Sequence, residues 1–299
     1  MTFAMTDGVP FIFMENALYL PNLKKDKKPQ KKSSSKYMKE LLQIAIKAAI
    51  AAGAEIMNVY AGKIAVTLKS DSSPLTIADE QANTIINNYL KTTPFPIISE
   101  ENKQVSYATR KQWERCWMVD PLDGTKEFIK RNGEFTVNIA LIEQGKPVLG
   151  VIYVPVTKTL YYAIVSDTKA YKIELSKHQF TNQLFQDCME IHPQTTNNSI
   201  LTIVGSRSHH SKETSDFIHS LKAQGKEINL ISKGSSLKFC EVAEGNANIY
   251  PRFAPTMEWD TAAGHAICSA VGLKVMQQQQ AEELHYNKKN LLNPYFIVQ

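Results

Sequence analysis

The sequence predicts an α+β fold that is built around an antiparallel sheet and carries a second α/β lobe. Apolar runs of strand length follow one another between residues 116 and 173 with only turns between them. Strands in direct succession are typical of an antiparallel meander. After residue 200, strand-like and helix-like runs alternate, which indicates a separate α/β layer.

The elements of the first lobe follow from periodicity. Apolar residues at helical spacing predict a helix that includes residues 41–50, with Ser35 as its candidate N-cap, and a second helix from Asp79 to about Leu90. Gly53 falls late in the first helix or ends it. Strands are predicted over residues 116–120, 135–142, 148–154, 160–165 and 170–173. A Gly-Lys-Pro turn at 145–147 predicts a hairpin between the second and third of these strands.

The second lobe alternates in a regular order. Strands are predicted over 200–204, 228–231 and 248–250, and helices over 212–221, 237–244 and 261–271. We therefore divide the chain into a basic extension over residues 1–36, a lobe over 37–190 and a lobe over 191–299. The two lobes together are expected to form one compact unit.

The charge distribution separates the extension from the rest of the chain. The formal net charge is +5, and residues 1–36 contribute +4 of it through seven lysines and three acidic residues. The remaining residues carry only +1, which argues against a nucleic-acid-binding protein. The lysine-rich run at 24–36 is either a solvated tail or an electrostatic contact with anionic lipid or nucleic acid.

Cysteine usage and hydropathy favour a cytoplasmic protein. The four cysteines show no metal-ligand spacing, so we expect reduced thiols. No run of 18 consecutive apolar residues occurs, so no transmembrane helix is expected. The apolar patch at 9–14 lacks preceding basic residues, so no secretory signal is expected either.

The stretch WMVDPLDGT at 117–125 predicts a cation site. An apolar strand ends at Asp120, Pro121 interrupts pairing, and Gly124 permits a tight turn that presents Asp123 beside Thr125. Carboxylate oxygens are the ligands that Mg²⁺ prefers, and a turn carbonyl can add a neutral ligand. Taken alone, the same letters also suit an ordinary surface turn.

Further acidic residues strengthen this prediction. Glu100 and Glu101 follow an apolar run, Asp79 begins a predicted helix, and Asp260 lies in the stretch EWDTAAG at 258–264. Asp79 and Asp260 also suit simple roles at helix N-termini. The occurrence of all these acidic segments in this order is much harder to obtain by chance than any one of them alone.

Two stretches carry a family resemblance, namely W-x-V-D-P-L-D-G-T at 117–125 and W-D-T-A-A-G at 259–264. They resemble the signatures of the inositol monophosphatase superfamily of Mg²⁺-dependent, lithium-sensitive phosphatases, over residues 37–275. The resemblance implies a layered αβαβα sandwich of the inositol monophosphatase and fructose-1,6-bisphosphatase type.

Four other segments resemble the bacterial 3′(2′),5′-bisphosphate nucleotidases, at 69–76, 124–128, 205–209 and 234–252. That subfamily removes the 3′-phosphate from adenosine 3′,5′-bisphosphate (PAP), a by-product of sulfur assimilation. The resemblance therefore implies a nucleotide bisphosphate as substrate, with the sulfated precursor (PAPS) left open as a second substrate. Oligomeric state is also left open between monomer and homodimer.

The resemblance implies a role for each matching residue. The metal ligands would be Glu100, Asp120, Asp123, Asp260 and the carbonyl of Leu122. Together they would hold two or three Mg²⁺ ions, and Li⁺ would inhibit the enzyme. Asp79 and Thr125, with Glu100, would orient and deprotonate the attacking water. The substrate-binding set adds Gly124, Thr125, His209, Ser235, Lys238 and Arg252 to Glu100, Leu122, Asp123 and Asp260.

Elementary chemistry supports a metal-assisted hydrolysis. A phosphate monoester resists attack because the nucleophile meets an anion and the leaving alkoxide is poor, and paired metal ions relieve both problems. Lys238 and Arg252 suit a second phosphate, although composition alone also allows two surface charges. The alternatives are an inositol monophosphatase or broad sugar phosphatase, and a non-catalytic protein that binds anions or lies peripherally on the inner membrane.

Overall fold

The structure of the protein is a computed structural model, and it describes residues 34–62, 66–68, 74–194, 200–206 and 211–299. Ser34–Gln299 form one compact unit. Residues 1–33, His209 and most of the 69–76 segment lie outside the described residues. Ser34 to Lys36, which the sequence prediction assigned to the extension, belong to the first helix.

The described residues form the following helices and strands. The helices are α1 Ser34–Ala61, α2 Ile77–Leu90, α3 Tyr107–Arg110, α4 Thr125–Ile129, α5 Leu184–Asp187, α6 Lys212–Ala223, α7 Leu237–Ala243 and α8 Glu258–Ala270, with a 3₁₀ turn at Val165–Asp167. The strands are β1 Val66–Leu68, β2 Pro74–Thr76, β3 Ile97–Ser99, β4 Arg115–Asp123, β5 Thr136–Glu143, β6 Lys146–Val154, β7 Thr159–Ile164, β8 Lys169–Glu174, β9 Met189–Ile191, β10 Ile200–Ser206, β11 Glu227–Lys233, β12 Tyr250–Arg252, β13 Val275–Gln277 and β14 Phe296–Val298.

The central sheet has seven strands in the order β3-β4-β5-β6-β7-β8-β9. All neighbours from β4 to β9 pair antiparallel, which confirms the predicted meander. The hairpin between β5 and β6 turns at Gln144 and Gly145, both at positive φ, as a type I′ turn requires. The exception is β3, which pairs parallel to β4 and therefore ends at the same edge of the sheet.

Both faces of the sheet are covered by helices. Along β4, Trp117 and Val119 join a core with α1 and α2, while Cys116 and Met118 join a core with α7 and α8. This alternation is the period of two that a strand imposes on its side chains. Because both faces are buried, the strands read as nearly continuous apolar runs.

The second lobe extends beyond α7 and α8. Strands β10 and β11 pair parallel, and β14 lies between β12 and β13 in an antiparallel sheet. Helix α7 contacts β10 and β12, and α6 packs on β11. The succession of helices, sheet, helices, smaller sheets and an outer helix confirms the predicted layered fold.

Helix α1 is long because Gly53 does not end it. Gly53 lies inside the helix, where an added Cβ would come within 2.4 Å of Tyr153 Cε1, so glycine lets α1 pack closely on β6. Ser35, the predicted N-cap, lies within the first turn instead. By length and composition alone α1 could cross a membrane, with a mean hydropathy of 1.3. Its apolar residues pack against α2 and the central sheet.

Candidate active site

The end of β4 builds the turn that the sequence singled out. Pairing with β5 is interrupted between Asp120 and Asp123 and resumes at Asp123, so Pro121 breaks the ladder locally and does not end the strand. Asp120 Oδ1 accepts a hydrogen bond from the Leu122 amide at 3.0 Å. Gly124 has φ of 94°, a conformation that disfavours side chains, and it turns the chain into α4.

Three carboxylates converge at this edge of the sheet. Oxygens of Glu100, Asp120 and Asp260 all lie within 4.8 Å of one another. Glu100 follows β3 and Asp120 lies near the end of β4, and the parallel pairing of the two strands brings them together. Asp260 comes from the first turn of α8, where its Oδ2 also accepts from the Met257 amide at 2.8 Å. Asp260 therefore caps its helix and faces the cluster.

The cluster is electrostatically unfavourable without a cation. Burial raises the pKa of Asp120 well above its usual value, and the neighbouring charges of Glu100, Asp123 and Asp260 raise it further. Burial likewise raises the pKa of Asp260, followed by the charges of Asp123 and Glu100. Buried carboxylates are tolerated when they are paired or bind a metal.

Asp123 is held in place by its neighbours. Its Oδ2 accepts hydrogen bonds from Ser235 Oγ at 2.8 Å, Ser236 Oγ at 2.9 Å and Asn138 Nδ2 at 3.2 Å. Ser236 Oγ is also 2.8 Å from the carbonyl oxygen of Asp260. The network fixes the Asp123 carboxylate and connects it to α8.

Asp79 and Thr125 form a second pair beside the carboxylates. Thr125 Oγ1 donates to Asp79 Oδ1 at 3.2 Å and lies 3.4 Å from the carbonyl oxygen of Leu122. The other Asp79 oxygen accepts from the amide and hydroxyl of Thr76, at 2.8 and 2.6 Å. Asp79 is only 2% exposed, so it communicates with the cavity through Thr125.

A cavity of about 330 Å³ opens over these groups. Its lining includes both the carboxylates and the cations Lys238 and Arg252. Burial lowers the pKa of Lys238 to about 8, and the nearby charge of Arg252 adds to this effect. Arg252 Nη2 donates to the Pro255 carbonyl at 3.1 Å, but its buried Nε has no hydrogen-bond partner among the described residues.

The donor set fits magnesium. The cluster offers hard carboxylate oxygens, and the carbonyl-bearing Leu122 lines the same cavity. Neither a histidine nor a cysteine joins the cluster within the part of the chain that the structure describes. All-oxygen ligands with room for water and phosphate are characteristic of Mg²⁺ sites.

The structure brings most of the predicted site residues to this cavity. Those that line it are Glu100, Asp120, Leu122, Asp123, Gly124, Thr125, Ser235, Lys238, Arg252 and Asp260. Asp79 lies behind Thr125, and Glu101 is not part of the carboxylate cluster. Lys238 is only 5% exposed, so it is not the surface charge that composition also allowed.

Sequence reasoning missed Ser236, Asn138 and Thr76. Ser236 lies in the 234–252 segment, next to the serine that was chosen. Thr76 precedes Asp79 by three residues, and this capping-box spacing could have identified the pair. Asn138 lies in β5 without any local signal, because its partners are brought together only by the fold.

Comparison with known proteins places the chain in a family. The inositol monophosphatase family model matches residues 37–295. The 3′(2′),5′-bisphosphate nucleotidase CysQ of Salmonella typhimurium is 48% identical over 83% of this chain and 94% of its own length. The CysQ of Escherichia coli K12 is 46% identical over the same shares of the two chains.

Solved structures give the same result. The crystal structure of CysQ from Bacteroides thetaiotaomicron is similar with a TM-score of 0.80 and 48% identity, over 88% of this chain and 98% of that one. SuhB from Bartonella henselae shares the fold at 22% identity, with a TM-score of 0.67 over 87% and 93% of the two chains. The protein belongs to the inositol monophosphatase family.

Proposed function

We propose that the protein is a Mg²⁺-dependent 3′(2′),5′-bisphosphate nucleotidase that hydrolyses the 3′-phosphate of PAP to give AMP and phosphate. The observation that carries the proposal is one cavity that is lined both by convergent carboxylates and by Lys238 and Arg252. Relatives named as this nucleotidase, at 46–48% identity over most of the chain, support the same function. They do not favour an inositol or sugar phosphatase.

The carboxylates would bind the reacting phosphate through Mg²⁺. Glu100, Asp120, Asp123, Asp260 and the Leu122 carbonyl would hold the metal, which when bound supplies positive charge for the phosphoryl oxygens and acidifies water. The raised pKa values of Asp120 and Asp260 support this assignment, because a cation there relieves a repulsion that the fold otherwise maintains. Li⁺ in place of Mg²⁺ is expected to inhibit.

Thr125 and Asp79 would accept the proton of the attacking water. Thr125 Oγ1 already donates its own hydrogen to Asp79, so its lone pair is free to accept one from water. Proton movement from water to Thr125 and from Thr125 to Asp79 would leave a hydroxide in the cavity and the proton on a carboxyl group that two Thr76 hydrogen bonds hold in place. This general-base relay requires no protein nucleophile.

Lys238 and Arg252 would bind the 5′-phosphate. Arg252 has an unpartnered Nε, and Lys238 Nζ donates to the carbonyls of Lys233 and Ser235, which leaves one of its three hydrogens for a ligand. Both side chains line the cavity. A phosphate oxygen is an acceptor that suits both donors. Ser235 lines the same cavity, whereas His209 lies outside the described residues. PAPS has the same 3′-phosphate and is proposed as a second substrate.

Product analysis tests the function. Incubation of PAP with the full chain and Mg²⁺ should give AMP and one equivalent of phosphate, resolved by anion-exchange chromatography. No product should form in EDTA. Release of the 5′-phosphate, or phosphate release that EDTA leaves unchanged, would contradict the proposal.

We also propose a cytoplasmic location. Residues 1–36 carry +4, which attracts anionic lipid when basic residues lie near a membrane surface. Cosedimentation of the full chain with phosphatidylglycerol vesicles at low and high salt distinguishes a free enzyme from one that associates peripherally with the inner membrane.

A further inference from the structure

Three asparagine side chains form a closed ring beside the carboxylate cluster. Asn83 Nδ2 donates to Asn102 Oδ1 at 2.9 Å, Asn102 Nδ2 to Asn87 Oδ1 at 3.1 Å, and Asn87 Nδ2 to Asn83 Oδ1 at 2.9 Å. Asn87 Nδ2 also lies 3.3 Å from Asn102 Oδ1, so every side-chain amide is hydrogen-bonded to both of the others. We call this arrangement the amide ring.

Further hydrogen bonds connect the amide ring to α2 and to β3. On the helix side, Asn87 Nδ2 also donates to the Asn83 carbonyl at 2.8 Å. On the strand side, the buried Ser99 hydroxyl donates to Asn83 Oδ1 at 2.7 Å. Ser99 is the last residue of β3 and immediately precedes Glu100.

The turn that carries Glu100 is therefore fastened on both sides. The backbone N–H of Asn102 donates to the Ser99 carbonyl at 3.2 Å and closes the turn. The backbone N–H of Glu100 donates to the Val119 carbonyl of β4, also at 3.2 Å. Gln104 Nε2 also donates to the Ser99 carbonyl, at 2.8 Å. The amide ring ties this closed turn to α2.

Helix α2 carries the other half of the machinery on the same face. Asp79, Asn83 and Asn87 are spaced by four residues, so they lie on one side of the helix. Asp79 holds Thr125 and the two asparagines hold the Glu100 turn. One helix face thus carries the proposed proton acceptor and supports the turn of a proposed metal ligand.

We infer that Asn83, Asn87 and Asn102 are positioning residues for metal binding, which hold the Glu100 turn so that its carboxylate meets those of Asp120 and Asp260. A carboxylate on an unsupported turn samples many positions, and that freedom is lost on coordination. Groups that orient ligands from outside the coordination sphere commonly contribute 10- to 100-fold to metal affinity. This inference rests on the proposed magnesium site.

Direct metal binding tests it. Calorimetric titration of the substrate-free full chain with Mg²⁺ should show a dissociation constant about tenfold higher in Asn83→Ala and in Asn102→Ala, the lower end of the known range. Asn88→Ala is the matched control, because Asn88 is an exposed asparagine of the same helix, and it should bind as the wild type does. Asn102 lies outside α2, so its variant keeps the test open if Asn83→Ala fails to fold.

Thermal unfolding distinguishes positioning from general support. Melting temperatures in EDTA report the structural cost of each variant, and the dissociation constant for Mg²⁺ reports the positioning. A lowered melting temperature with unchanged Mg²⁺ affinity in Asn83→Ala and Asn102→Ala would overturn the inference. A wild-type chain that binds Mg²⁺ but releases no phosphate would contradict the proposed function and leave the amide ring's role intact.

Discussion

At the scale of single residues, the proposed roles divide between a proton-accepting pair and a phosphate-binding pair. Thr125 and Asp79 share a hydrogen bond of 3.2 Å, and Asp79 is buried behind Thr125. Lys238 and Arg252 lie on the cavity wall with no carboxylate within salt-bridge distance among the described residues. Each pair therefore predicts a different kinetic effect on substitution.

Replacing the Thr125 hydroxyl should slow the chemical step. Thr125→Val keeps the shape but removes the group that relays the proton, and general-base catalysis typically contributes about 10²–10⁴-fold. We expect kcat for PAP to fall within that range while KM changes little. Thr125→Ser retains the hydroxyl and should keep most of the activity. Equal losses in the serine and valine variants would argue against the relay.

Replacing Arg252 should change substrate preference. The unpartnered Nε predicts a direct contact with the second phosphate, and a hydrogen bond between charged groups contributes about 1.5–3 kcal/mol. Arg252→Ala should lower kcat/KM for PAP by about 10- to 100-fold and leave adenosine 3′-monophosphate nearly unaffected. Arg115→Ala is the control, because Arg115 pairs with Glu143 outside the cavity. The same loss on both substrates would refute the assignment.

At the scale of elements, close packing by glycine sets where the catalytic groups lie. Gly150 in β6 faces α8, and an added Cβ would lie 2.4 Å from the Ala263 carbonyl oxygen and 2.8 Å from Ala266 Cβ. Neither atom is the end of a flexible side chain, so α8 itself would have to move. Asp260 lies in the first turn of that helix and would move with it.

Gly150→Ala should therefore cost both stability and metal affinity. Overpacking of a well-packed core typically costs about 1–3 kcal/mol, which urea unfolding would measure. The Mg²⁺ dissociation constant should rise as Asp260 is displaced. Gly205→Ala in β10 is the matched control, since the nearest atom to the added Cβ, the Ile231 carbonyl oxygen, lies 4.0 Å away. Unchanged stability in Gly150→Ala would show that α8 can shift freely.

The elements also show what the sequence could and could not predict. Helix α2 and strands β4 to β8 lie close to their predicted bounds, because long apolar patterns report burial directly. Strands β9, β13 and β14 have three residues each and were not predicted as strands. A run that short carries no periodicity, and its pairing depends on partners brought together by the fold. The chain ends in β14, which joins β12 and β13.

The site shows the same division. The Asp120–Thr125 turn was predictable because its Pro and Gly residues mark it locally. Asn138 and Ser236 were not, because they meet Asp123 from 15 and 113 residues away. Resemblance to a family supplied the joint reading of the distant carboxylates that spacing alone could not give.

At the scale of the whole molecule, net charge is a poor guide to the ligand. The body beyond residue 36 carries only +1, yet it gathers buried carboxylates at one cavity. Burial and mutual repulsion raise the pKa of Asp120 and Asp260 above the ordinary value of 3.8. Folding without a cation is therefore opposed at neutral pH by the very residues that form the site.

Mg²⁺ should stabilise the protein more at neutral than at acidic pH. Since the folded-state pKa values are raised, the metal-free protein binds more protons than its unfolded chain above about pH 4, and this contribution to stability falls as pH rises. Mg²⁺ replaces the protons, so the gain in melting temperature should be larger at pH 7.5 than at pH 5. Asp120→Asn should raise the metal-free melting temperature and remove most of the Mg²⁺ effect. Differential scanning fluorimetry checks both outcomes, and an equal Mg²⁺ gain at the two pH values would contradict the electrostatic account.

The proposed reaction of this cavity is the Mg²⁺-dependent hydrolysis of a doubly phosphorylated nucleotide. The most direct measurement is kcat/KM for PAP and for inositol 1-phosphate, in parallel, with the full chain in saturating Mg²⁺. A cavity that contains Lys238 and Arg252 besides the carboxylates predicts a preference for PAP of at least about 10-fold, the value of one well-placed charged hydrogen bond. Equal or faster turnover of inositol 1-phosphate would contradict it.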